Sequence, residues 1–225
     1  MKKEQYQQLV NSLGSKITLV AVSKLQSTDA IMQLYRMGQR DFGENYVQEL
    51  IEKQLLLPHD IRWHFIGHLQ SNKIKYIASF VHLVQSVDSF KLLMEINRQG
   101  KKLNRVIDCL LQVHIADEET KFGLHPDELE ELVAGMTQEF AINELDHVRV
   151  TGLMGMASLS EDEEKVRREM QLLAALYDKY IIIDKPNFHF QQLSMGMSAD
   201  YKLALGEGST MVRIGSLLFG SRTQI

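Results

Sequence analysis

Apolar and polar positions along this chain switch repeatedly between two periods. Short apolar runs without polar alternation, the first at residues 17–22, predict strands buried on both faces, as in a parallel sheet. Between them lie stretches with apolar residues at helical spacing. Residues 2–13 place Tyr6, Leu9, Val10 and Leu13 on one helical face, with Gly14 as a stop. After the first strand, Ser27 or Thr28 caps a helix through Arg36, closed by Gly38. Residues 40–43 predict a very short second strand, followed by a helix from Glu44 to Leu57. Residues 61–66 predict a third strand and 71–78 the next helix; 81–85 predict a fourth, followed by a helix that Asp88 caps and that runs to Gln99, before Gly100. The fifth strand is expected at 106–115, with Pro126 opening a helix to Phe140. The sixth is at 148–154, and Ser160 with Glu163 predicts a capping box for a helix to Tyr180, whose acidic first turn suits the helix dipole. Residues 188–193 and 211–214 complete a set of eight strands.

Eight strand-then-helix units with only three prolines and no linker-like stretch predict a single domain over residues 1–225: a closed (β/α)8 TIM barrel with an extra N-terminal helix. The alternative is an open doubly wound sheet. Its nucleotide signature, Gly-x-Gly-x-x-Gly directly after a first strand, is missing. With 44% apolar residues the chain can fill a full core. A net charge of -4 and no Lys/Arg run longer than two argue against a nucleic-acid partner. Cys109 is the only cysteine and lies in an apolar strand, so an inert buried thiol is expected, with no disulfide and no cysteine metal site. The start is polar and no run approaches about eighteen consecutive apolar residues, so a cytoplasmic protein with no membrane contact, and a monomer, is the expectation.

In such a barrel the chemistry sits beyond the carboxyl ends of the strands. The first strand ends at Ser23-Lys24, the second at Gly43-Glu44-Asn45, the third at Gly67-His68, the seventh at Ser194 and the eighth at Arg213 to Ser216. A lone lysine after a buried strand is ordinarily a strand-end charge. Here the chain's far end supplies glycines, serines and an arginine, where barrels commonly bind phosphate. Gly215 and Ser216 can offer backbone N–H groups and a hydroxyl to an anion. The same glycines also read, singly, as turn residues. Taken together, the lysine opposite a phosphate cup suggests Schiff-base chemistry with an aldehyde-bearing phosphate, which describes pyridoxal 5'-phosphate (PLP). Arg213 would face the pyridine nitrogen; an arginine accepts no proton, so the ring would be a weak electron sink.

His64 and His68 have a zinc spacing only if helical, and they fall on a strand and its loop. The reading is therefore a hydrogen-bonded barrel wall for His64, with no metal site. Trp63 is expected to pack against helices. Tyr46 and the methionines 154, 156, 195 and 197 read as core or cofactor-packing residues.

Seven segments carry a resemblance: Ala21-Val22-Ser23-Lys24, Phe42-Gly43-Glu44-Asn45-Tyr46-Val47-Gln48-Glu49, Trp63 to Lys73, Lys121-Phe122-Gly123, Gly152-Leu153-Met154, Leu193 to Asp200 and Gly208 to Gly215. At these residues the chain resembles the YggS/PROSC family of pyridoxal-phosphate homeostasis proteins, themselves similar to the barrel domain of alanine racemase. The resemblance implies that Lys24 holds PLP as an internal aldimine, that Arg213 lies by the ring nitrogen and Asn45 beside the ring, and that Ser194, Gly215 and Ser216 contact the phosphate. Many relatives have threonine where this chain has Ser216.

The resemblance further implies a protein that holds PLP reversibly and takes part in its homeostasis and delivery to apo PLP-enzymes, with no catalytic residue assigned. Racemisation needs acid–base groups on both faces of a substrate carbon, and Lys24 serves one; the chain ends at Ile225 without an evident second domain to supply the other. The alternative is a PLP-dependent amino-acid racemase. A third reading is a barrel for another phosphate ester.

Overall fold

The computed structural model describes residues 3–118, 122–138 and 144–220. Strands β1 (Thr18–Val22), β2 (Asp41–Glu44), β3 (Arg62–Phe65), β4 (Leu83–Val87), β5 (Ile107–Val113) and β6 (Val148–Gly155) pair in sequence, all parallel. A two-residue strand β7 (Asp184–Lys185) lies antiparallel on β8 (Phe188–Ser194). Strand β9 (Met211–Ile214) pairs with β1, and β6 pairs with β8, so the sheet closes on itself as an eight-stranded (β/α)8 barrel. Helix α1 (Lys3–Leu13) precedes β1 and buries Tyr6, Leu9 and Leu13, the face that the periodicity predicts. No described helix is long and apolar enough to cross a membrane.

Between the strands stand α2 (Thr28–Arg36), α3 (Val47–Leu56), a 3-10 turn (Ser71–Tyr76), α4 (Phe90–Leu103), α5 (Pro126–Met136), α6 (Glu163–Tyr180), α7 (Tyr201–Gly206) and the single turn α8 (Ser216–Phe219). Several local expectations differ from what forms. The cap of α4 is Ser89, whose hydroxyl accepts the Leu92 N–H, and not Asp88; α3 begins at Val47, with Glu44 still in β2. The segment after β3 winds as a 3-10 turn instead of an α-helix. The cap of α6 is Asp162, whose carboxylate accepts the N–H groups of Glu164 and Lys165, so Ser160 forms no capping box. Helix α4 runs through Gly100 and ends on Asn104 at φ +51. A Cβ on Gly100 would stand 2.5 Å from the His147 carbonyl oxygen, so this glycine serves a close approach and not a stop. The expected end of α5 at Phe140 lies outside the described residues.

Most of the apolar core lies outside the barrel, between its strands and the helices. Phe42, Phe65, Ile74, Leu93, Ile96 and Phe188 are all fully buried there. Trp63 is buried against Phe42, their ring centroids 6.0 Å apart. The inside holds a smaller cluster, Val20, Leu83, Leu110, Met154 and Met211, layered with polar side chains. Cys109 is buried, and burial pushes its thiol well above the ordinary range, as expected of an inert thiol.

Pairing around the barrel is uneven. Strands β5 and β6 share seven paired positions, whereas β8 and β9 share one, Ser194 with Met211. Hydroxyls reinforce the backbone bonds of that seam, in which the Thr210 and Met195 N–H groups donate to the Leu193 and Met211 carbonyls: Thr210 Oγ1 accepts from the Leu193 N–H at 2.8 Å, and Ser209 Oγ lies within 2.8–3.3 Å of the carbonyls of Leu193, Met195 and Met211.

Candidate functional site

The register of β1 brings the two ends of the chain together. Val20 pairs with Arg213 and Ala21 with Ile214 on one side; Val22 pairs with Gly43 on the other. Lys24 and Asn45 each follow a member of that last pair by two residues, and Gly215 follows β9 directly. A Cβ on Gly215 would lie 3.5 Å from Val22 Cβ, so the final turn packs on the end of β1. Lys24, Asn45, Gly215 and Ser216 therefore share one rim of the barrel. Ser216 is exposed, and Lys24, Asn45 and Gly215 are half-buried.

The loop after β8 completes this rim. Gly196 has φ +95, and a Cβ there would stand 2.6 Å from Ala204 Cβ, so only glycine lets the loop lie flat on α7. Its carbonyl accepts the Arg213 N–H at 2.9 Å, and two residues on, Ser198 Oγ accepts the Gly215 N–H at 3.3 Å. Met197 N–H is held by Asp200 at 2.5 Å. The hydroxyl that the structure brings to Gly215 is thus that of Ser198. Ser194, named for that place in the sequence reading, is fully buried with its hydroxyl inside the barrel, where it donates to Gln85 Oε1 at 2.7 Å and accepts from Arg213 at 2.7 Å. Strand alternation explains the difference: Ser194 is still a strand residue facing inward, while Ser198 lies in the turn before α7.

Arg213 is buried beneath the rim, with a second N–H donating to the Gly155 carbonyl at 2.8 Å. Burial pulls its pKa down to about 10, which leaves it charged at neutral pH. From it a chain of hydrogen bonds descends through the barrel. Ser194 donates to Gln85 Oε1, which fixes the amide so that Gln85 Nε2 donates to His64 Nδ1 at 2.9 Å and meets Met211 Sδ at 3.2 Å. His64 Nε2–H then donates to Asp41 Oδ1 at 3.0 Å, and Arg62 grips the same carboxylate with two N–H groups. Burial works to raise the Asp41 carboxyl, but the hydrogen bonds from His64 and Arg62 and the charge of Arg62 outweigh it and hold it well below the usual carboxylate range. His64 is accordingly the hydrogen-bonded wall that the sequence suggests, and His68 lies elsewhere, 3.2 Å from Asp88. Asp41, His64 and His82 gather donor atoms within 4.8 Å. Arg62 caps both Asp41 oxygens and His64 spends both nitrogens on Asp41 and Gln85, so this group is an ion-pair network.

Asn45 Oδ1 is buried at the rim and has no hydrogen-bond partner among the described residues. Lys121, part of one resembling segment, lies outside the described residues. Gln85, His64 and Ser198 were not assigned to the site from sequence. The signal for Ser198 was a hydroxyl in the glycine-containing loop beyond β8; His64 read only as a hydrogen-bonded wall, and Gln85 gave no signal, because a buried polar residue on a strand shows its partners only after closure.

Compared with known families, this closed parallel barrel matches the profile described as the N-terminal domain of alanine racemase over residues 3–223. The chain belongs to that family and, within it, to the pyridoxal phosphate homeostasis proteins. The relative of that name in Aquifex aeolicus is 41% identical over 91% of this chain and 86% of its own, and that of Schizosaccharomyces pombe is 38% identical over 98% and 90%. Among solved structures, PipY of Synechococcus elongatus with PLP bound superposes with a TM-score of 0.86 at 34% identity, covering 97% of this chain and 99% of that one. Alanine racemase of Bartonella henselae shares the fold, with a TM-score of 0.71 at 15% identity over 99% of this chain and 60% of its own.

Proposed function

We propose that this protein binds PLP across the mouth of the barrel, holds it reversibly through Lys24, and serves intracellular PLP homeostasis by passing the cofactor to apo PLP-enzymes. The observation that carries the reading is the register of the β1–β9 pair, with Gly215 packed on Val22 and bonded to Ser198, which puts the start of the Lys24 loop on the same rim as Gly215, Ser216 and Ser198. The names of the full-length relatives and the PLP bound to PipY support it. The residues also fit the group: a buried amide oxygen at Asn45 without a partner is costly unless a ligand completes its surroundings.

When bound, PLP would supply an aldehyde, and Lys24 is the residue whose neutral amine would hold it through a C=N bond, one water being released. The chain's own residues do the rest. Ser198, Ser216 and the N–H groups at the start of α8 grip the phosphate, and Asn45 borders the ring. Ser194 contributes by holding Arg213, so its part in phosphate binding is indirect. Arg213, protonated at neutral pH, offers the ring nitrogen a donor and no carboxylate, which disfavours proton abstraction from a bound amino acid. An incoming primary amine can replace Lys24 with no change in the kinds of bond present, so the cofactor leaves without an energetic driver.

The test is an absorption spectrum of PLP-loaded protein beside Lys24→Ala, followed by borohydride reduction and peptide mapping. A Schiff-base band and a reduced adduct at Lys24, both lost in the variant, are expected. A colourless, unmodified wild type would overturn the reading. Incubation with L-amino acids in deuterated water should give no rapid α-proton exchange; rapid exchange would instead establish a racemase-like enzyme.

A further inference from the structure

A buried ionic cluster behind the end of β1 has no part in the contacts described so far. Lys53, on α3, is almost fully buried, and its ammonium donates to Glu44 Oε1 at 2.7 Å, to Glu49 Oε1 at 2.6 Å and to the Ser23 carbonyl at 2.7 Å. Ser23 returns a hydrogen bond from its hydroxyl to Glu44 Oε1 at 2.6 Å. On the other side, the Leu25 N–H donates to Glu49 Oε1 at 2.6 Å. The cluster thus grips the backbone immediately before and immediately after Lys24.

Two further observations argue that the grip has a purpose beyond packing. Leu25 is held at φ +62, a region that side-chain-bearing residues rarely adopt, and its side chain is 65% exposed. Burial of Leu25 does not account for that conformation; it is the third residue of the turn closed by the Gln26 N–H on the Ser23 carbonyl, and the Glu49 carboxylate on its own N–H holds that turn in place. Backbone held in sparsely populated regions concentrates at functional sites. The second observation is the cluster itself. Buried charges stabilise a fold less than apolar residues of the same volume, and Glu44 Oε2 and Glu49 Oε2 remain without hydrogen-bond partners. Burial accordingly pushes the Glu44 carboxyl up, against the pull of Lys53.

We propose that Glu44, Lys53 and Glu49 are positioning residues for Lys24: by clamping Ser23 and Leu25 they fix the direction in which Lys24 leaves β1, and so the fraction of bound cofactor that it captures covalently. The three act on the amine through the backbone and touch no ligand. This inference rests on the PLP reading above, and two ligands separate the two. PLP tests capture. Pyridoxine 5'-phosphate has an alcohol in place of the aldehyde, cannot condense with an amine, and so reports the phosphate and ring contacts alone.

Lys53→Met should leave the affinity for pyridoxine 5'-phosphate unchanged while the Schiff-base equilibrium with PLP, read from its absorption band and from borohydride-trapped adduct at Lys24, falls about tenfold. Glu49→Gln, which keeps the shape of the side chain and serves if the first variant folds poorly, should shift the same equilibrium in the same direction. Adding Leu25→Gly to Lys53→Met should restore part of the loss, because glycine adopts positive φ without a clamp. Equal loss of both ligands would mark the cluster as general scaffolding, and no loss of either would show that Lys24 needs no clamp; each overturns the proposal. A wild type that takes up pyridoxine 5'-phosphate but forms no adduct with PLP would overturn covalent capture itself, and with it the PLP reading, whatever the variants do.

Discussion

Ser194 and Ser198 lie four residues apart, one at the end of β8 and the other in the loop beyond it, and do different work. The Ser194 hydroxyl joins Arg213 to Gln85 inside the barrel, and that of Ser198 accepts from Gly215 at the rim. Ser194→Ala leaves a buried guanidinium N–H and a buried amide oxygen each short of a partner, which should cost about 2 kcal/mol in urea unfolding. Ser198→Ala should leave stability nearly intact and weaken PLP binding more than Ser194→Ala does, by absorbance titration. The reverse order of affinities would return the phosphate to Ser194. At this scale the sequence was legible where chemistry follows from position at a strand end, as for Lys24, Asn45 and Gly215. It was not legible where strand alternation decides which of two serines faces inward, or where His64 and Gln85 find each other only across a closed barrel.

At the scale of elements, periodicity located each barrel strand, and helix α2 begins and ends where its pattern does. Boundaries failed where tertiary contact overrode a local signal. Gly100 reads as a stop, yet α4 passes through it because the chain beside His147 leaves no room for a Cβ. Gly100→Ala in a helix interior would ordinarily stabilise by about 1 kcal/mol. Here the added methyl meets two carbonyl oxygens, at 2.5 and 2.8 Å, so the variant should melt at a lower temperature than wild type. A higher melting temperature would show that this end of α4 yields readily. The Glu44-to-Glu49 stretch was prominent in the sequence for its resemblance, and Lys53 stands at helical spacing from Glu49; that the three side chains converge on Ser23 and Leu25, on either side of Lys24, shows only in the fold.

For the whole molecule, the single-domain expectation implies one cooperative unfolding transition, with near- and far-ultraviolet circular dichroism coinciding in urea. Two separated transitions would refute it. Acid should act through the lower pole of the barrel. Asp41 is depressed in the folded state, so its stabilisation is complete above the unfolded carboxylate range, near pH 4, and is lost as pH falls toward its folded value. Urea midpoints should therefore drop below about pH 4, with on the order of 2 kcal/mol of the loss belonging to Asp41. Asp41→Asn should start less stable at neutral pH and decline less steeply; an equal slope would assign the acid sensitivity elsewhere.

The thin lacing between β8 and β9 bears on how a carrier lets go. Three peptide hydrogen bonds cross it, from Thr210 to Leu193, Met195 to Met211 and Arg213 to Gly196, and the hydroxyls of Ser209 and Thr210 carry much of the remaining connection. That stretch adjoins the glycine–serine lip at Gly196 to Ser198, so momentary gaping there loosens one side of the lip while Lys24 stays seated on the other. Deuterium uptake at residues 193–196 and 209–212 should outpace the rest of the wall, and removing the Ser209 hydroxyl should quicken both uptake and cofactor escape together.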